Sequence, residues 1–303
     1  LKDFFKYLTA GEEDKQWGLF LSVVGNARIK PDSIYPSSDH PTGYFYQWVD
    51  GRVLKEYQIN YISEGMGILE LENSRYQVKA GTVLIIRPGV WHRYRPDKDS
   101  GWHEHYIGFN GKTAEHFLNQ SVFAGGQPLI ACGFRQELVD TYWKIYDLVQ
   151  EETPGYQQVC SGLVLKMLGH LVAYKKGENF SGKPIEKIIQ RIRLHIHDNA
   201  EEDLDLNALA DQHQIGYSYF RKMFKKYTGV SPHQYQLGLK VLRARELLLT
   251  TDKSIKEIGY QLGFSSIYYF SRFFKERVGV NPSDLRSGSR GAGEQGNIRI
   301  GEH

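Results

Sequence analysis

Two clusters of side chains, about fifty residues apart, carry the chemistry most legible in this 303-residue sequence. Ser218, Tyr219, Lys222, Lys225 and Lys226 form one; Ser266, Ile267, Tyr268, Ser271, Arg272 and Lys275 form the other. Both combine hydroxyl, aromatic and cationic groups without an acid. Such sets suit double-stranded DNA: Arg and Lys favour guanine edges, hydroxyls are less choosy, and lysines further along a helix meet phosphates. A third group comprises Arg52, Trp91, His92, Tyr94, Trp102, His103, His105 and Tyr106. It offers stacking faces and donors suited to a small polar ring, so the expected effector is a sugar or related metabolite.

The elements that must position the two clusters are visible as an internal repeat. Leu206, Leu209, Ala210 and Ile215 correspond to Ile255, Ile258, Gly259 and Phe264 at an offset of 49. After the turn the offset is 50: Phe220, Phe224, Lys225, Gly229, Val230 and Pro232 match Phe270, Phe274, Lys275, Gly279, Val280 and Pro282. Each copy reads as a short helix, a tight turn and a second helix with phenylalanines four apart, closed by Gly and then Pro. That is a helix-turn-helix. Ala210 and Gly259 are expected where two helices cross too closely for a longer side chain. Between the copies, Tyr235 to Leu249 carries an apolar stripe of Leu239, Leu242, Leu247 and Leu248. Fifteen helical residues span about 22 Å, short enough to hold two reading helices near one duplex turn apart, roughly 34 Å. A ligand-free helical bundle is the blander alternative for one such unit, and duplication with basic outer faces weighs against it.

Residues 1 to about 110 break into short apolar runs between turn residues. The clearest are Tyr57–Ile62, Ile68–Leu71, Tyr76–Val78 and Val83–Ile86, before the stop at Pro88-Gly89. Strands at this spacing predict a small barrel or sandwich. From about Arg135 the period becomes helical, through Leu138, Tyr142, Ile145 and Val149 and then Val159, Leu163, Met167, Leu168 and Leu171. The polar run Lys175–Pro184 predicts a hinge, with domains at 1–176 and 185–286, a linker at 177–184 and a disordered tail at 287–303. Net charge is only +3, but residues 185–286 hold 16 basic and 12 acidic side chains against 20 and 21 before them, so the basic excess lies in the second domain.

Hydrophobic residues at 41% and charged at 24% exclude global disorder. Cys132 and Cys160, both read as small apolar residues in helical segments, are too few for a disulfide framework or structural zinc site. A reducing, cytoplasmic setting is expected. No run of eighteen apolar residues exists, so no membrane partner is expected either. No nucleophile and base stand at recognisable spacing, and neither catalysis nor a cofactor is expected.

The second domain resembles the AraC/XylS family of bacterial transcription regulators. The resemblance rests on Ile255-Lys256-Glu257-Ile258-Gly259, Gly263-Phe264, Tyr269-Phe270-Ser271-Arg272-Phe273-Phe274-Lys275 and Gly279-Val280-Asn281-Pro282, ending at Leu285-Arg286. Gly259 stands where Ala is usual, and Asp284-Leu285 where an aromatic often precedes the Arg. The resemblance implies that Ser218, Tyr219, Lys222, Ile267, Tyr268, Ser271 and Arg272 contact bases. Gly65, Gly67, Tyr76, Gly81, Val83–Ile86, Pro88-Gly89 and His92 resemble the cupin-type sensing barrel of the same regulators. The implied whole is an α+β multidomain chain: a cupin-like jelly roll with helices, followed by an all-α domain of two helix-turn-helix units. A homodimer through the helices of 135–175 is likewise implied. A metal-dependent cupin enzyme fused to the same tail is the alternative. It would need a His-x-His pair and a Glu on early strands; residues 57–81 hold no histidine, and His103-x-His105 comes after the Pro-Gly turn. A DNA-repair protein with this tandem unit would need a reactive cysteine, and neither Cys132 nor Cys160 has a basic or Cys-x-x-Cys setting.

Overall fold

Alternating apolar residues build the first half of the chain from strands, as seen in a computed structural model that describes residues 3–35, 46–124, 127–178 and 180–287. Strands β1 (Phe4–Tyr7), β2 (Phe20–Ile29), β3 (Arg52–Val53), β4 (Tyr57–Leu71), β5 (Ser74–Lys79), β6 (Thr82–Ile86), β7 (Trp91–Pro96), β8 (Trp102–Asn110) and β9 (Leu129–Ala131) are all antiparallel. Helices α1 (Glu12–Gln16), α2 (Lys112–Leu118), α3 (Ser121–Ala124), α4 (Gln136–Glu151) and α5 (Tyr156–Gly177) complete this half.

β4 is fifteen residues long because it serves two layers. Its first part pairs with β6 and β8 and its second with β5 and β7. The bend falls where the register shifts between Ile62 and Glu64. There Gly65 is left-handed at φ 78°, and a Cβ would lie 2.1 Å from the Gly101 carbonyl oxygen, so only glycine fits. The layers enclose Leu54, Ile62, Leu69, Val78, Leu84, Ile86, Tyr94 and Trp102, which is the cupin-like interior.

The outer face of β2, β8, β4 and β6 is covered by α4 and α5, in a separate core that includes Ile59, Ile107, Phe109, Tyr142, Ile145, Val164 and Leu168. β2 is bulged between Leu21 and Val23. Gln157 on α5 occupies the backbone groups of Leu21, accepting from its N–H at 2.9 Å and donating to its carbonyl at 3.1 Å. Tyr142 and Tyr146 on α4 donate to the carbonyls of Ile59 (2.9 Å) and Gly25 (2.7 Å). Strand β8 is thus buried on both faces.

The chain divides into two compact units, Leu1–Asn179 and Phe180–His303. The expected hinge from Lys175 differs from what is seen. α5 continues through Lys175 and Lys176 to Gly177, and Phe180 is buried in the core of the second unit, its ring 5.1 Å from that of Tyr227. Cys132 also departs from expectation: it follows β9 rather than lying in a helix. Both cysteines are free and buried. Burial pushes the thiols up to about 11 and 12, which leaves them inert. Residues 288–303 of the expected tail lie outside the described residues.

The second unit is helical: α6 (Pro184–Asp198), α7 (Leu206–Gln212), α8 (Tyr217–Thr228), α9 (Pro232–Thr250), α10 (Ile255–Gln261) and α11 (Ile267–Val278), with a final helical stretch at 282–287. The connector α9 is longer than the fifteen residues expected, because a capping box of Ser231 and Gln234 starts it at Pro232. Its 19 residues span about 28 Å. Among the described residues no helix is long and apolar enough to cross a membrane.

Candidate functional site

The repeat builds two equivalent helix pairs, α7–α8 and α10–α11. Asp205 caps α7 by accepting from the N–H groups of Asn207 and Ala208; Ser254 caps α10 in a reciprocal box with Glu257. In α8 and α11 the paired phenylalanines form the buried side, with ring separations of 5.6 Å for Phe220–Phe224 and 5.9 Å for Phe270–Phe274. Both helices end on a left-handed glycine, Gly229 and Gly279, whose N–H donates to the carbonyl of Lys225 or Lys275 at 2.8 Å. With one side buried, the other must face water.

On α8 that face holds Ser218, Tyr219, Lys222, Lys225 and Lys226, all exposed. Arg221 stands among them and was missed from the sequence. The offset of 50 would have found it, since it aligns with Ser271. On α11, Tyr268 is 86% exposed and Arg272 and Lys275 are exposed too. Arg272 lies 5.9 Å from the Tyr269 ring and 3.9 Å from Glu276, contacts loose enough to leave its guanidinium available. Ser266, Ser271 and Ile267 are only half-exposed. Ser266 accepts from the Tyr269 N–H as the N-cap, and Ile267 packs on the second core.

The eight barrel residues do not form one set. Strand alternation sends Trp102, Glu104 and Tyr106 inward and His103 and His105 outward, His105 beneath α4 and His103 beside it. His105 stacks on Tyr146 at 6.2 Å with its Nδ1 3.3 Å from that hydroxyl; His103 Nδ1 sits 3.2 Å from an Arg28 nitrogen. Burial holds His105 down at about 3. His105 therefore belongs to the sheet–helix seam, and His103 to the outer face next to it. Trp91 points to the outer side, where its indole donates to the Asp50 carbonyl at 2.7 Å. Among the described residues no group of three or more His, Cys, Asp or Glu is arranged to hold a metal.

Arg52, His92, Tyr94, Trp102 and Tyr106 remain on the inner side, and the fold adds Tyr35, Tyr46, Asn60 and Glu104. Tyr94 is the hub. Its hydroxyl accepts from Arg52 at 2.8 Å and Asn60 at 3.0 Å, its carbonyl accepts from the Tyr46 hydroxyl at 2.6 Å, and its ring lies 5.9 Å from Trp102. His92 accepts from Arg52 Nε at 3.2 Å, which places its proton on Nδ1 facing the Val90 carbonyl at 3.0 Å. Burial, with Arg52 adding to it, keeps His92 neutral down to about 4. Burial pushes the Glu104 carboxyl up to about 8 against the opposing pull of Arg52 and the Tyr35 hydroxyl. Among the described residues Asn60 Oδ1, Trp102 Nε1 and Glu104 Oε2 are buried without a hydrogen-bond partner. A cavity of about 200 Å³, lined by Phe5, Ala27, Ser33, Tyr35, Glu104 and Tyr106, opens onto the carboxyl.

Comparison with known proteins accounts for both halves. Residues 33–168 match the family model for an AraC-like ligand binding domain, and residues 209–288 that for a helix-turn-helix domain. The Msm operon regulatory protein of Streptococcus mutans is 27% identical over 76% of this chain and 84% of its own. The arabinose operon regulatory protein of Escherichia coli K12 is 25% identical over 81% and 86%, and the raffinose operon transcriptional regulatory protein RafR of Pediococcus pentosaceus 25% over 80% and 88%. With a sensing barrel, a duplicated reading helix and matches spanning both, the chain belongs to the AraC/XylS family and is a ligand-responsive, DNA-binding transcription regulator.

Proposed function

We propose that the effector is a small polyhydroxylated molecule, of the sugar class, held inside the barrel. The observation that carries this is a set of unpartnered buried groups, Asn26 Nδ2, Asn60 Oδ1, Trp102 Nε1 and Glu104 Oε2, of which Asn26 and Glu104 line the cavity. A buried polar atom without a partner is costly, about 1–3 kcal/mol each, and a ligand offering alternating hydroxyls supplies both donors and acceptors. Tyr35, which meets Trp102 edge to face at 6.1 Å, also lines the cavity and offers it an aromatic surface suited to a sugar ring. Relatives named for arabinose and raffinose operons agree with this class. The cavity is smaller than the roughly 300–1,000 Å³ of drug-sized sites, which favours a monosaccharide. All five tryptophans of the sequence precede residue 180, so their fluorescence reports on this unit alone. A panel of neutral monosaccharides should include one that changes this signal saturably, and Asn60→Ala should weaken that response at least tenfold. A panel in which only apolar compounds act would overturn the reading.

In the second unit, Tyr268, Arg272, Ser218, Tyr219, Arg221 and Lys222 are assigned to base edges and Lys225, Lys226 and Lys275 to phosphates. Arg272→Ala should weaken binding to a selected duplex by about 1–3 kcal/mol and leave random duplex little changed; Lys225→Ala should weaken both and flatten the salt dependence. Equal losses for Arg272→Ala on both duplexes would remove it from base reading.

We also assign a homodimer to α5. Val159, Gly162, Lys166, Gly169 and Ala173 recur at three- and four-residue spacing on its exposed side, and a Cβ at Gly162 or Gly169 would meet nothing within 4 Å. Small residues in such a seam let a second helix approach closely.

A further inference from the structure

A straight rod does not by itself fix the angle between two heads mounted on it. Tyr235 and Leu239 of α9 pack on the first helix-turn-helix core, whereas Val241, Ala244, Leu247 and Leu248 pack on the second. Where the two meet, the buried face of α9 is polar: Gln236 and Lys240 are each 5% exposed.

Residues 199–205, between α6 and α7, reach across this junction. The Glu202 carbonyl accepts from Gln236 Nε2 at 2.8 Å. Glu201 accepts twice, from Arg243 Nε of α9 at 2.8 Å and from Gln261 Nε2 of α10 at 3.2 Å. Arg243 is held in turn by Glu246 at 2.6 Å, and Gln261 by Lys253 at 2.7 Å. One side chain of the α6–α7 loop thus bonds both the connector and the second helix-turn-helix.

The turns of the repeat record the same junction. Gln214 and Gly263 occupy equivalent left-handed positions, at φ 56° and 72°. In the first turn a long side chain is accommodated. In the second, a Cβ would lie 3.0 Å from Lys240 Nζ and 3.1 Å from the Glu201 carbonyl oxygen. Gly263 is therefore the residue that lets the loop close on the second turn, and the departure from repeat symmetry falls where the two helix-turn-helix copies meet.

We infer that residues 199–205 are a brace that fixes the angle between the two reading helices, with Glu201 as a positioning residue for spacing discrimination on DNA. The inference rests on the assignment of both α8 and α11 to DNA. Heads locked at one angle read two half-sites at one spacing, and an inserted base pair rotates the second half-site by about 35°.

The test uses the full chain and a duplex it selects from a random-sequence pool, together with the same duplex carrying one inserted base pair between the two contacted segments. Wild type should bind the inserted duplex at least tenfold more weakly. Glu201→Ala should shrink that penalty roughly fivefold, within the usual range for coupled contacts, while its affinity for duplexes carrying only one segment stays within twofold. Glu201→Gln, which keeps an acceptor for Gln261, should fall between. Gln261→Ala should reproduce the loss, which guards against a folding defect at position 201. Glu201→Ala and Gln261→Ala both retaining the full penalty, or losing affinity equally for one segment and two, would overturn the brace alone. A wild type indifferent to the insertion would overturn the two-headed reading beneath it as well.

Discussion

Inside the barrel a single carboxyl decides how the first unit responds to pH. Glu104 keeps its proton in the folded state up to about 8, against an ordinary value of 4.5, because burial disfavours the charged form. Between those values the folded state binds more protons than the unfolded one, so stability falls as pH rises from 4.5 to 8. His92 and His105 act with the opposite sign. Their folded values lie near 4 and 3, below the ordinary 6.5, so the stability tied to their neutral forms is present above 6.5 and lost as pH falls. The slopes oppose each other below 6.5, and of these three groups only the carboxyl acts above it. Thermal unfolding followed by tryptophan fluorescence should therefore decline from pH 6.5 to 8, at roughly 1 kcal/mol per pH unit. Glu104→Gln should flatten that side of the profile and steepen the acidic side, where its opposing slope is removed. A wild-type profile flat between 6.5 and 8 would mean the carboxyl is already ionised. At this scale the sequence was only partly legible. Trp91, His92, His103 and His105 looked equivalent, and what separates them is which side of a strand each takes. β8 gives no alternating signal because α4 covers its far face. Tyr35, Tyr46 and Asn60 reach the interior from distant segments, through a topology that no local pattern encodes.

Among the elements, the helix-turn-helix pairs were the most readable, since their phenylalanine spacing, caps and terminal glycines are local. Comparing the copies also shows where one is improvable. Gly259 lies in α10 where the first copy has Ala210, and a Cβ there would meet Phe270 Cδ1 at 3.4 Å, an ordinary contact. Space for a methyl group is therefore present, so alanine fits at this position as it does at 210. Gly259→Ala should raise stability by about 0.5–1 kcal/mol through reduced chain entropy and better helix propensity. Thermal melting by circular dichroism would register the gain, and a loss would show that Phe270 cannot yield even slightly. The connector was harder to delimit. Its stripe was visible, but its start depends on the Ser231–Gln234 box, which ends five residues before the first leucine of that stripe, Leu239. The hinge was overestimated because polar residues at 175–177 can prolong a helix when its preceding turns are anchored, as α5 is by Gln157 and Ser161.

For the molecule as a whole, the question is how modest reading heads obtain useful specificity. Each chain presents two, and a dimer presents four. In the dimer proposed above, once one chain is bound the second binds as an intramolecular event at an effective concentration in the millimolar range, which would raise overall affinity by about 10²–10⁴ without any new contact. The α5 seam assigned above makes this testable. Replacing Gly162 and Gly169 together with glutamate puts two like charges where a second helix would approach, while the space around both positions leaves the chain's own packing untouched. Sedimentation should shift from dimer to monomer, tryptophan fluorescence should keep its unfolding midpoint within about 2 °C, and affinity for a duplex with two binding sites should fall about a hundredfold or more. Affinity for a duplex with one site should not change. If the double variant sediments as wild type does, the seam is solvated surface and the dimer, where one forms, is held by another face; if it is monomeric yet binds both duplexes as before, oligomerisation contributes nothing to occupancy.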